Sequence, residues 1–410
     1  MPNSTSTPSF IDLFAGAGGL SYGLDQAGFK CKLGLEQDLW AAQTFRENHQ
    51  TAKLVQDDIV SIKNQSIKNL NLSNVPLIVG GPPCQGFSHS NTGNKDKRDP
   101  RNSLFVDFLR FVAVIKPRIA LIENVPGLLG TKLESGEPVI DVIVSEFLKI
   151  GYVAHYAILD ASHFGVPQKR PRLFILAHGI DDQLNGPAFP TATHSPISGI
   201  QSDLPGINDE LPPAVTLWDA ISDLPQIYAD NTDTPITYTS AAMNDYQRSM
   251  RKGASLEITH HEPMRHTKRV KERFEHIRFG ESEENVPDHL KPRLRGDPTT
   301  ASGKSYSQNS RRQHPDSPCS TIVASAHTNF IHPYLHRNFT VRETMRIQSF
   351  PDTFQLKGKR AVLSKSLSIK KGYLDDIYLD QRAQIGNAVP PLLAKAIGVH
   401  LLSVAGHLLK

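Results

Sequence analysis

The sequence predicts an α/β protein with a doubly wound, mostly parallel sheet and a second, smaller domain. The first 180 residues alternate short apolar runs with amphipathic stretches, which is the pattern of repeated βαβ units. Glycine-rich or polar turns follow the apolar runs, as expected where the strands of an open sheet end. The alternation stops near Asn185, and eight prolines between residues 187 and 235 indicate irregular connections at a domain boundary.

Apolar spacing predicts each element in order. The expected strands are 10–14, 32–35, 77–79, 119–122, 152–159 and 173–176, and the expected helices are 20–27, 104–115 and 139–148. Further along, Thr340-Val-Arg-Glu343 is a capping box that opens a helix through Ile347. Asn387 is expected to cap a C-terminal helix whose first turn holds Pro390 and Pro391.

Length and composition exclude several classes of protein. A chain of 410 residues predicts two or three domains, and 39% hydrophobic with 21% charged residues excludes a wholly disordered chain. Arg110, Lys116 and Arg118 interrupt the most apolar region, so we expect no membrane helix there. The first residues lack the pattern of a secretory signal. Three cysteines without a CxxC motif exclude a disulfide framework and a cysteine-based zinc site, so we expect a cytoplasmic protein without a metal.

The charge of the chain is unevenly distributed. Residues 173–247 contain no Lys or Arg and ten Asp or Glu, whereas residues 245–315 contain fifteen basic against ten acidic residues. This surplus of five exceeds the net charge of +4. The segment 245–315 is either an ordinary solvated surface or one face that binds a polyanion.

The first strand leads into a candidate nucleotide site, Asp12-Leu-Phe-Ala-Gly-Ala-Gly-Gly. Glycines after a first strand let the backbone approach a ligand closely at a helix N-terminus. Ser21 stands where a dinucleotide fingerprint would have its third glycine, which disfavours NAD. Glu36, at the end of the second strand, suits a ribose diol, and Asp58 suits an exocyclic adenine amine. A structural turn without a ligand is the alternative, but the spacing to Glu36 favours a nucleoside.

A candidate nucleophile, Cys84, lies in Gly80-Gly-Pro-Pro-Cys-Gln-Gly-Phe-Ser88, just beyond a strand end. Two prolines on one side and a glycine on the other would hold its thiol at a rigid rim. Glu123 and Asn124 end another strand, and Gln168-Lys-Arg170-Pro-Arg172 precedes a third. We expect a thiol, a carboxylate and two guanidinium groups at this rim, whereas the other two cysteines are expected to be packing residues.

These motifs together resemble the cytosine-C5 DNA methyltransferase family. Phe14-Ala-Gly-Ala-Gly-Gly is similar to its S-adenosylmethionine loop, and Pro82-Pro-Cys-Gln-Gly-Phe-Ser to its nucleophile motif. The remaining matches, in family order, are Glu123-Asn-Val, Gln168-x-Arg-x-Arg172, Arg342-Glu-x-x-Arg-x-Gln-Ser-Phe-Pro351 and Gln384-Ile-Gly-Asn-Ala-Val-Pro390.

The resemblance implies a set of site residues. Those expected to be catalytic are Cys84, Glu123, Arg170 and Arg172. Those expected to bind S-adenosylmethionine are Phe14, Ala15, Gly16, Gly18, Gly19, Glu36, Asp58, Ile59, Pro82, Asn387 and Ala388. Those expected to bind the substrate are Gln85, Ser88, Arg101, Asn124 and Gln168.

The resemblance also implies the reaction and the domains. Cys84 would attack C6 of a cytosine flipped out of double-stranded DNA, and the methyl group of S-adenosylmethionine would pass to C5. Glu123 would protonate N3 and Arg172 would stabilise O2. The implied divisions are a catalytic and cofactor-binding domain at 1–185, a target-recognition domain at 186–335, a hinge and supporting helix segment at 336–374 and a return to the catalytic domain at 375–410.

Two alternatives remain open. A tRNA-methylating branch shares these motifs, although the long basic segment favours DNA. A catalytically silent DNA-binding protein on the same fold is the other, and Cys84, Glu123 and the two arginines argue against it. We expect a monomeric bacterial modification enzyme that is paired with a restriction endonuclease.

Overall fold

The computed structural model describes residues 7–72, 74–83, 104–133, 135–195, 211–230, 235–294, 297–301, 309–324, 330–361, 365–373 and 377–410. The chain forms two compact units. Unit 1 contains residues 1–164, 171–193 and 388–410, and unit 2 contains residues 165–170 and 194–387. The boundaries expected at residues 185, 335 and 374 are therefore not those of the compact units: 336–374 lies inside unit 2, and the C-terminal return begins at Ala388.

Unit 1 is built on a seven-stranded sheet. Its strands are β1 Ser9–Leu13, β2 Lys30–Leu35, β3 Lys53–Val55, β4 Leu77–Gly80, β5 Ile119–Asn124, β6 Tyr152–Asp160 and β7 Pro171–Gly179. The order is β3-β2-β1-β4-β5-β7-β6. The first five strands pair in parallel, and β7 runs antiparallel to both β5 and β6. The predicted mostly parallel sheet is confirmed.

The short strands of unit 2 are β8 Arg293–Leu294, β9 Asp297–Ala301, β10 Arg311–Arg312 and β11 Phe330–Ile331. The α-helices, in chain order, are α1 Gly19–Ala27, α2 Leu39–Asn48, α3 Asn64–Asn69, α4 Leu104–Ile115, α5 Val139–Lys149, α6 Leu217–Ile221, α7 Asp245–Met250, α8 Lys268–Glu275, α9 Val341–Ile347, α10 Lys365–Lys370, α11 Gln381–Asn387 and α12 Pro391–Ala405.

The central strands of unit 1 are apolar because both faces of the sheet are covered. Ile11 on β1, Ile78 on β4 and Ile122 on β5 are at most 1% exposed. Strands buried on both faces read as continuous apolar runs, which is why the sequence places them within a few residues. Helix α4 packs Phe108 and Phe111 into the same core.

The C-terminal helix belongs to unit 1 because α12 packs against α1. A methyl group placed at Gly23 of α1 would lie 2.3 Å from the Pro391 carbonyl oxygen, and one at Gly398 of α12 would lie 2.6 Å from Ala27 Cβ. The two backbones approach so closely that only glycine fits at these crossings. The stretch 381–405 has the length and mean hydropathy, 1.6, of a membrane helix, but 56% of its most apolar window is buried inside the protein. It is therefore only weak evidence for a membrane span.

The cap expected at Asn387 is wrong. Asn387 is the last residue of α11, and Pro390 stands at the N-cap of α12 with Pro391 in the first helical position. The prolines supply helical φ angles and lack N–H groups that the first turn could not pair, so α12 begins without a side-chain cap.

Unit 2 holds its core with apolar residues and buried arginines. The capping box of α9 is confirmed: the Thr340 hydroxyl accepts from the Glu343 N–H, and the Glu343 carboxylate accepts from the Thr340 N–H. Glu343 also pairs with the buried Arg337 at 2.7 Å. Arg312 is 4% exposed and its guanidinium donates to five backbone carbonyls. Burial lowers the Arg312 pKa to about 10.

Candidate active site

The glycine loop after β1 makes a tight left-handed path. Phe14 has φ of +63°, Gly16 +56° and Gly18 +91°. A non-glycine residue seldom adopts a positive φ, so Phe14 is held there by its surroundings, where its half-buried ring packs against the core of unit 1. Helix α1 begins at Gly19, and Gly18 offers no side chain to cap it. The helix N-terminus thus retains N–H groups that suit a polar ligand.

Glu36 ties the end of β2 to this loop. Its Oε2 accepts from the Gly16 N–H and its Oε1 from the Asp38 N–H, both at 2.8 Å. Burial raises the Glu36 pKa, and these two hydrogen bonds oppose the rise. A carboxylate can accept about four hydrogen bonds, so the group still has acceptor capacity for a ligand hydroxyl.

A buried pair under the loop was not foreseen from the sequence. Asp12 is 1% exposed, and the Ser21 hydroxyl donates to its Oδ2 at 2.6 Å. Ser21 therefore occupies the third-glycine position because its hydroxyl satisfies a carboxylate at the end of β1. Burial raises the Asp12 pKa to about 7, Ser21 opposes the rise, and the charges of Glu36 and Asp25 add to it. A charged residue in an otherwise apolar strand was the available signal.

The other expected cofactor residues have different exposures. Asp58 is exposed, and its Oδ1 accepts from the Val60 N–H at the start of a short 3-10 helix. Ile59 is 3% exposed and belongs to the core of unit 1. Ala15 is nearly buried, and its N–H donates to the Leu35 carbonyl. Asn387 of unit 2 is exposed, and Ala388 of unit 1 is half-buried.

The loop after β4 leads towards the candidate nucleophile. A methyl group at Gly80 would lie 2.2 Å from the Leu13 carbonyl oxygen, which explains a glycine at this strand end. The Asn124 amide donates to the Pro82 carbonyl at 3.3 Å, so Asn124 fixes the loop. Cys84, Gln85, Ser88 and Arg101 lie outside the described residues.

Glu123 and Arg172 form an ion pair at the carboxyl end of β5. Arg172 Nε lies 3.0 Å from Glu123 Oε1, and each side chain is 13% exposed. Burial lowers the Arg172 pKa, and Glu123 opposes this effect. A methyl group at Gly81 would lie 3.2 Å from Glu123 Oε2, so the carboxylate stands beside the chain three residues before Cys84. The structure thus brings together two of the residues expected to be catalytic.

Arg170 and Gln168 belong to unit 2 and are buried there. The Arg170 guanidinium donates to the carbonyls of Ile322 and Gly386 at 2.6 and 2.7 Å, and it is 1% exposed. The Gln168 amide donates to Gln348 Oε1, and its oxygen accepts from the Ile322 N–H. The polar groups of both side chains bind the protein itself, and the catalytic role expected for Arg170 and the substrate-binding role expected for Gln168 stay predictions.

These features are those of an α/β enzyme with a nucleoside-type loop at one strand end and a carboxylate–guanidinium pair at another. Among the described residues, no group of three or more His, Cys, Asp or Glu could hold a metal ion.

Comparisons with known proteins identify the family. The chain matches the model of the C-5 cytosine-specific DNA methylase family over residues 8–403. It is 43% identical over 389 residues to the Type II methyltransferase M.DdeI of Desulfomicrobium norvegicum, covering 95% of this chain and 87% of that protein. It is 33% identical to the Type II methyltransferase M.AgeI of Thalassovita gelatinovora, covering 94% and 97%.

Solved structures share the fold. One described as a DNA modification methyltransferase encoded within a prophage (E. coli) is 26% identical, with a TM-score of 0.68 over 97% of this chain and 99% of that chain. The chain therefore belongs to the C-5 cytosine-specific DNA methylase family. It is a DNA cytosine-5-methyltransferase of the bacterial modification type.

Proposed function

We propose that the protein transfers a methyl group from S-adenosylmethionine to C5 of a cytosine flipped out of a specific duplex sequence, through a covalent bond between Cys84 and C6. The observation that carries this proposal is the Glu123–Arg172 ion pair beside Gly81. It supplies a carboxyl group and a guanidinium group next to the loop that leads to Cys84, as addition to a pyrimidine ring requires.

The residues around the glycine loop fit S-adenosylmethionine, which supplies a methyl group on a sulfonium. Glu36 would accept from the two ribose hydroxyls, and the half-buried Phe14 ring would stack on the adenine. Asp58 has one carboxylate oxygen engaged by Val60, and the other would accept from the adenine amine.

Residues of the chain itself would then catalyse the reaction. The Cys84 thiolate adds to C6, which moves the electrons of the 5,6 double bond to C5 and makes C5 nucleophilic. The proton released when the Cys84 thiol ionises would pass to Glu123 as its ion pair with Arg172 opens. Glu123 would then donate that proton to N3, while Arg172 would stabilise the charge that develops on O2. After the methyl group has joined C5, a base such as water takes the C5 proton, the proton on N3 returns to Glu123, and departure of the Cys84 thiolate restores the aromatic ring.

Unit 2 would read the DNA sequence, but only some of its basic residues remain available. Arg269 and Arg273 donate to backbone carbonyls of the turn at 289–291 and so hold the unit together. Arg265, Lys268 and Arg278 are exposed and form no ion pair among the described residues. We assign these three to DNA contacts. A partner restriction endonuclease, a cytoplasmic location and a monomeric state complete the proposal.

The test is a covalent trap. A duplex with 5-fluorocytosine at the target has no C5 proton to lose, so the Cys84 adduct should persist on a denaturing gel and depend on S-adenosylmethionine. Cys84→Ser should lose the band and the activity. Glu123→Gln should trap slowly because it donates a hydrogen bond but cannot deliver a proton.

The chain offers matched controls. Cys31 and Cys319 are 2% and 1% exposed, and burial raises both thiol pKa values, so Cys31→Ser and Cys319→Ser should keep the band. A band that survives Cys84→Ser would place the nucleophile elsewhere. Methyl transfer to tRNA but not to duplex DNA would refute the substrate assignment.

A further inference from the structure

A second basic segment lies in unit 2, separate from 245–315. Residues 354–373 contain six Lys or Arg and no Asp or Glu, a denser positive charge than the surplus of five spread over 245–315. Asp352 precedes the segment, and Asp375 and Asp376 follow it outside the described residues. The six cations are Lys357, Lys359, Arg360, Lys365, Lys370 and Lys371.

Four of these cations are presented to solvent. Lys359, Arg360, Lys370 and Lys371 are exposed. Lys370 ends α10 and Lys371 follows it in a turn closed by hydrogen bonds to the Ser368 carbonyl, one of them from the Lys371 N–H. Neither Lys370 nor Lys371 forms an ion pair within the described part of the chain. The turn therefore holds two adjacent ammonium groups in water, and no carboxylate of the described residues pairs with either.

The second basic segment adjoins the first. The Leu356 N–H donates to His260 Nε2 at 3.2 Å, and Arg360 Nη1 lies 3.8 Å from Glu262 Oε2. Glu262 is three residues before the exposed Arg265 and six before Lys268. Two segments almost a hundred residues apart in the chain thus meet in unit 2, where Arg360 lies beside Glu262. The Arg360–Glu262 pair is long and both side chains are about half exposed, so it neutralises little of this charge.

We propose that Lys359, Arg360, Lys370 and Lys371 extend the surface of Arg265 and Lys268, and that this surface binds phosphates of duplex DNA flanking the target sequence. This inference rests on the proposed function, because it takes duplex DNA as the substrate. Phosphate contacts fix the position of a protein on the duplex and carry no sequence information. Lysine ammonium groups suit that task because they are mobile point charges without the planar fork that reads base edges.

The test compares two double variants with equal loss of charge. Lys370→Gln/Lys371→Gln removes two proposed phosphate contacts, and Lys30→Gln/Lys32→Gln removes two exposed lysines from β2 of unit 1. Binding is measured between 50 and 200 mM salt, with a plasmid fragment that the enzyme methylates and with a duplex of arbitrary sequence.

The salt dependence gives the expected magnitude. Each phosphate contact contributes about 0.9 to the slope of log affinity against log salt, so the Lys370/Lys371 variant should lose up to about 1.8 from that slope. Over this fourfold range of salt, the wild type should lose about tenfold more affinity than the variant does. The loss should be equal for both duplexes, while affinity for S-adenosylmethionine and the melting temperature stay unchanged.

The outcomes separate the two proposals. If the Lys370/Lys371 variant keeps the slope of the Lys30/Lys32 control while the wild type methylates DNA, the inference is wrong and the proposed function stands. If the wild type neither binds nor methylates duplex DNA, both fail. A structured RNA that binds more tightly than DNA, and whose binding falls in the Lys370/Lys371 variant, would assign the surface to RNA and overturn the inference.

Discussion

Asp12→Asn should make unit 1 more stable at neutral and alkaline pH. The Asp12 carboxyl is 1% exposed, and burial raises its pKa from 3.8 to about 7. A raised pKa means that the folded chain holds the proton more tightly than the unfolded chain. The contribution of this carboxyl to stability is therefore complete below pH 3.8 and is lost as the pH rises through about 7.

The magnitude follows from the two pKa values. One pKa unit corresponds to about 1.4 kcal/mol. Between pH 5 and pH 8, the free energy of unfolding of the wild type should therefore fall by about 2–3 kcal/mol more than that of Asp12→Asn. Asparagine has the same shape and its oxygen can still accept from the Ser21 hydroxyl, so the variant keeps the hydrogen bond while removing the charge. Glu36, whose pKa is also raised, leaves some pH dependence in both proteins.

The assay can report on unit 1 alone. The chain has two tryptophans, Trp40 on α2 and Trp218 on α6, so Trp218→Phe leaves a single tryptophan, which lies in unit 1 and can be excited selectively. Urea unfolding of the Trp218→Phe background, with and without Asp12→Asn, then gives the free energy of unfolding at each pH. If the free energies of unfolding of the two proteins change in parallel between pH 5 and pH 8, the folded protein does not hold a proton on Asp12 and the prediction is wrong.

Two further predictions concern the same loop. Glu36→Ala should raise the dissociation constant for S-adenosylmethionine about tenfold or more, since losing a charged acceptor costs about 1.5–3 kcal/mol; unchanged binding by calorimetry would refute the assignment. Gly18→Ala should lower the melting temperature, because its φ is +91° and its methyl group would lie 2.4 Å from His49 Nε2. Gly136→Ala, also at positive φ but with open space around it, is the matched control. Equal losses of melting temperature in the two variants would show that a clash with His49 is not the cause.

The sheet was predictable because its strands are buried on both faces. Continuous apolar runs such as the one at β4 have few other ways to be buried, so their positions follow from composition. The cap at Asn387 was not predictable, since an asparagine before two prolines satisfies the local rules for a helix start whether the helix begins at once or three residues later. Only the structure shows that Asn387 closes α11.

The sequence predicted where the site residues lie along the strands, but not the direction in which their side chains point. Motif spacing placed Glu123 and Arg172 at neighbouring strand ends, and the structure pairs them. The same spacing gave no sign that Arg170, two residues earlier, points into unit 2 and binds carbonyls. Charge counting has a similar limit: Arg269 and Arg312 add to the basic surplus, yet their guanidinium groups bind carbonyls of the chain.

The packing of α12 on α1 has a consequence for synthesis on the ribosome. Helix α1 precedes unit 2 in the chain, but the helix that covers it follows all of unit 2, so the ribosome makes α12 long after α1. Until α12 has been made, Leu24 and Ala27 of α1 lack their contact with Gly398. Unit 1 can therefore complete its fold only after α12 has been made, so a nascent chain that still lacks α12 has no finished catalytic unit with which to modify DNA.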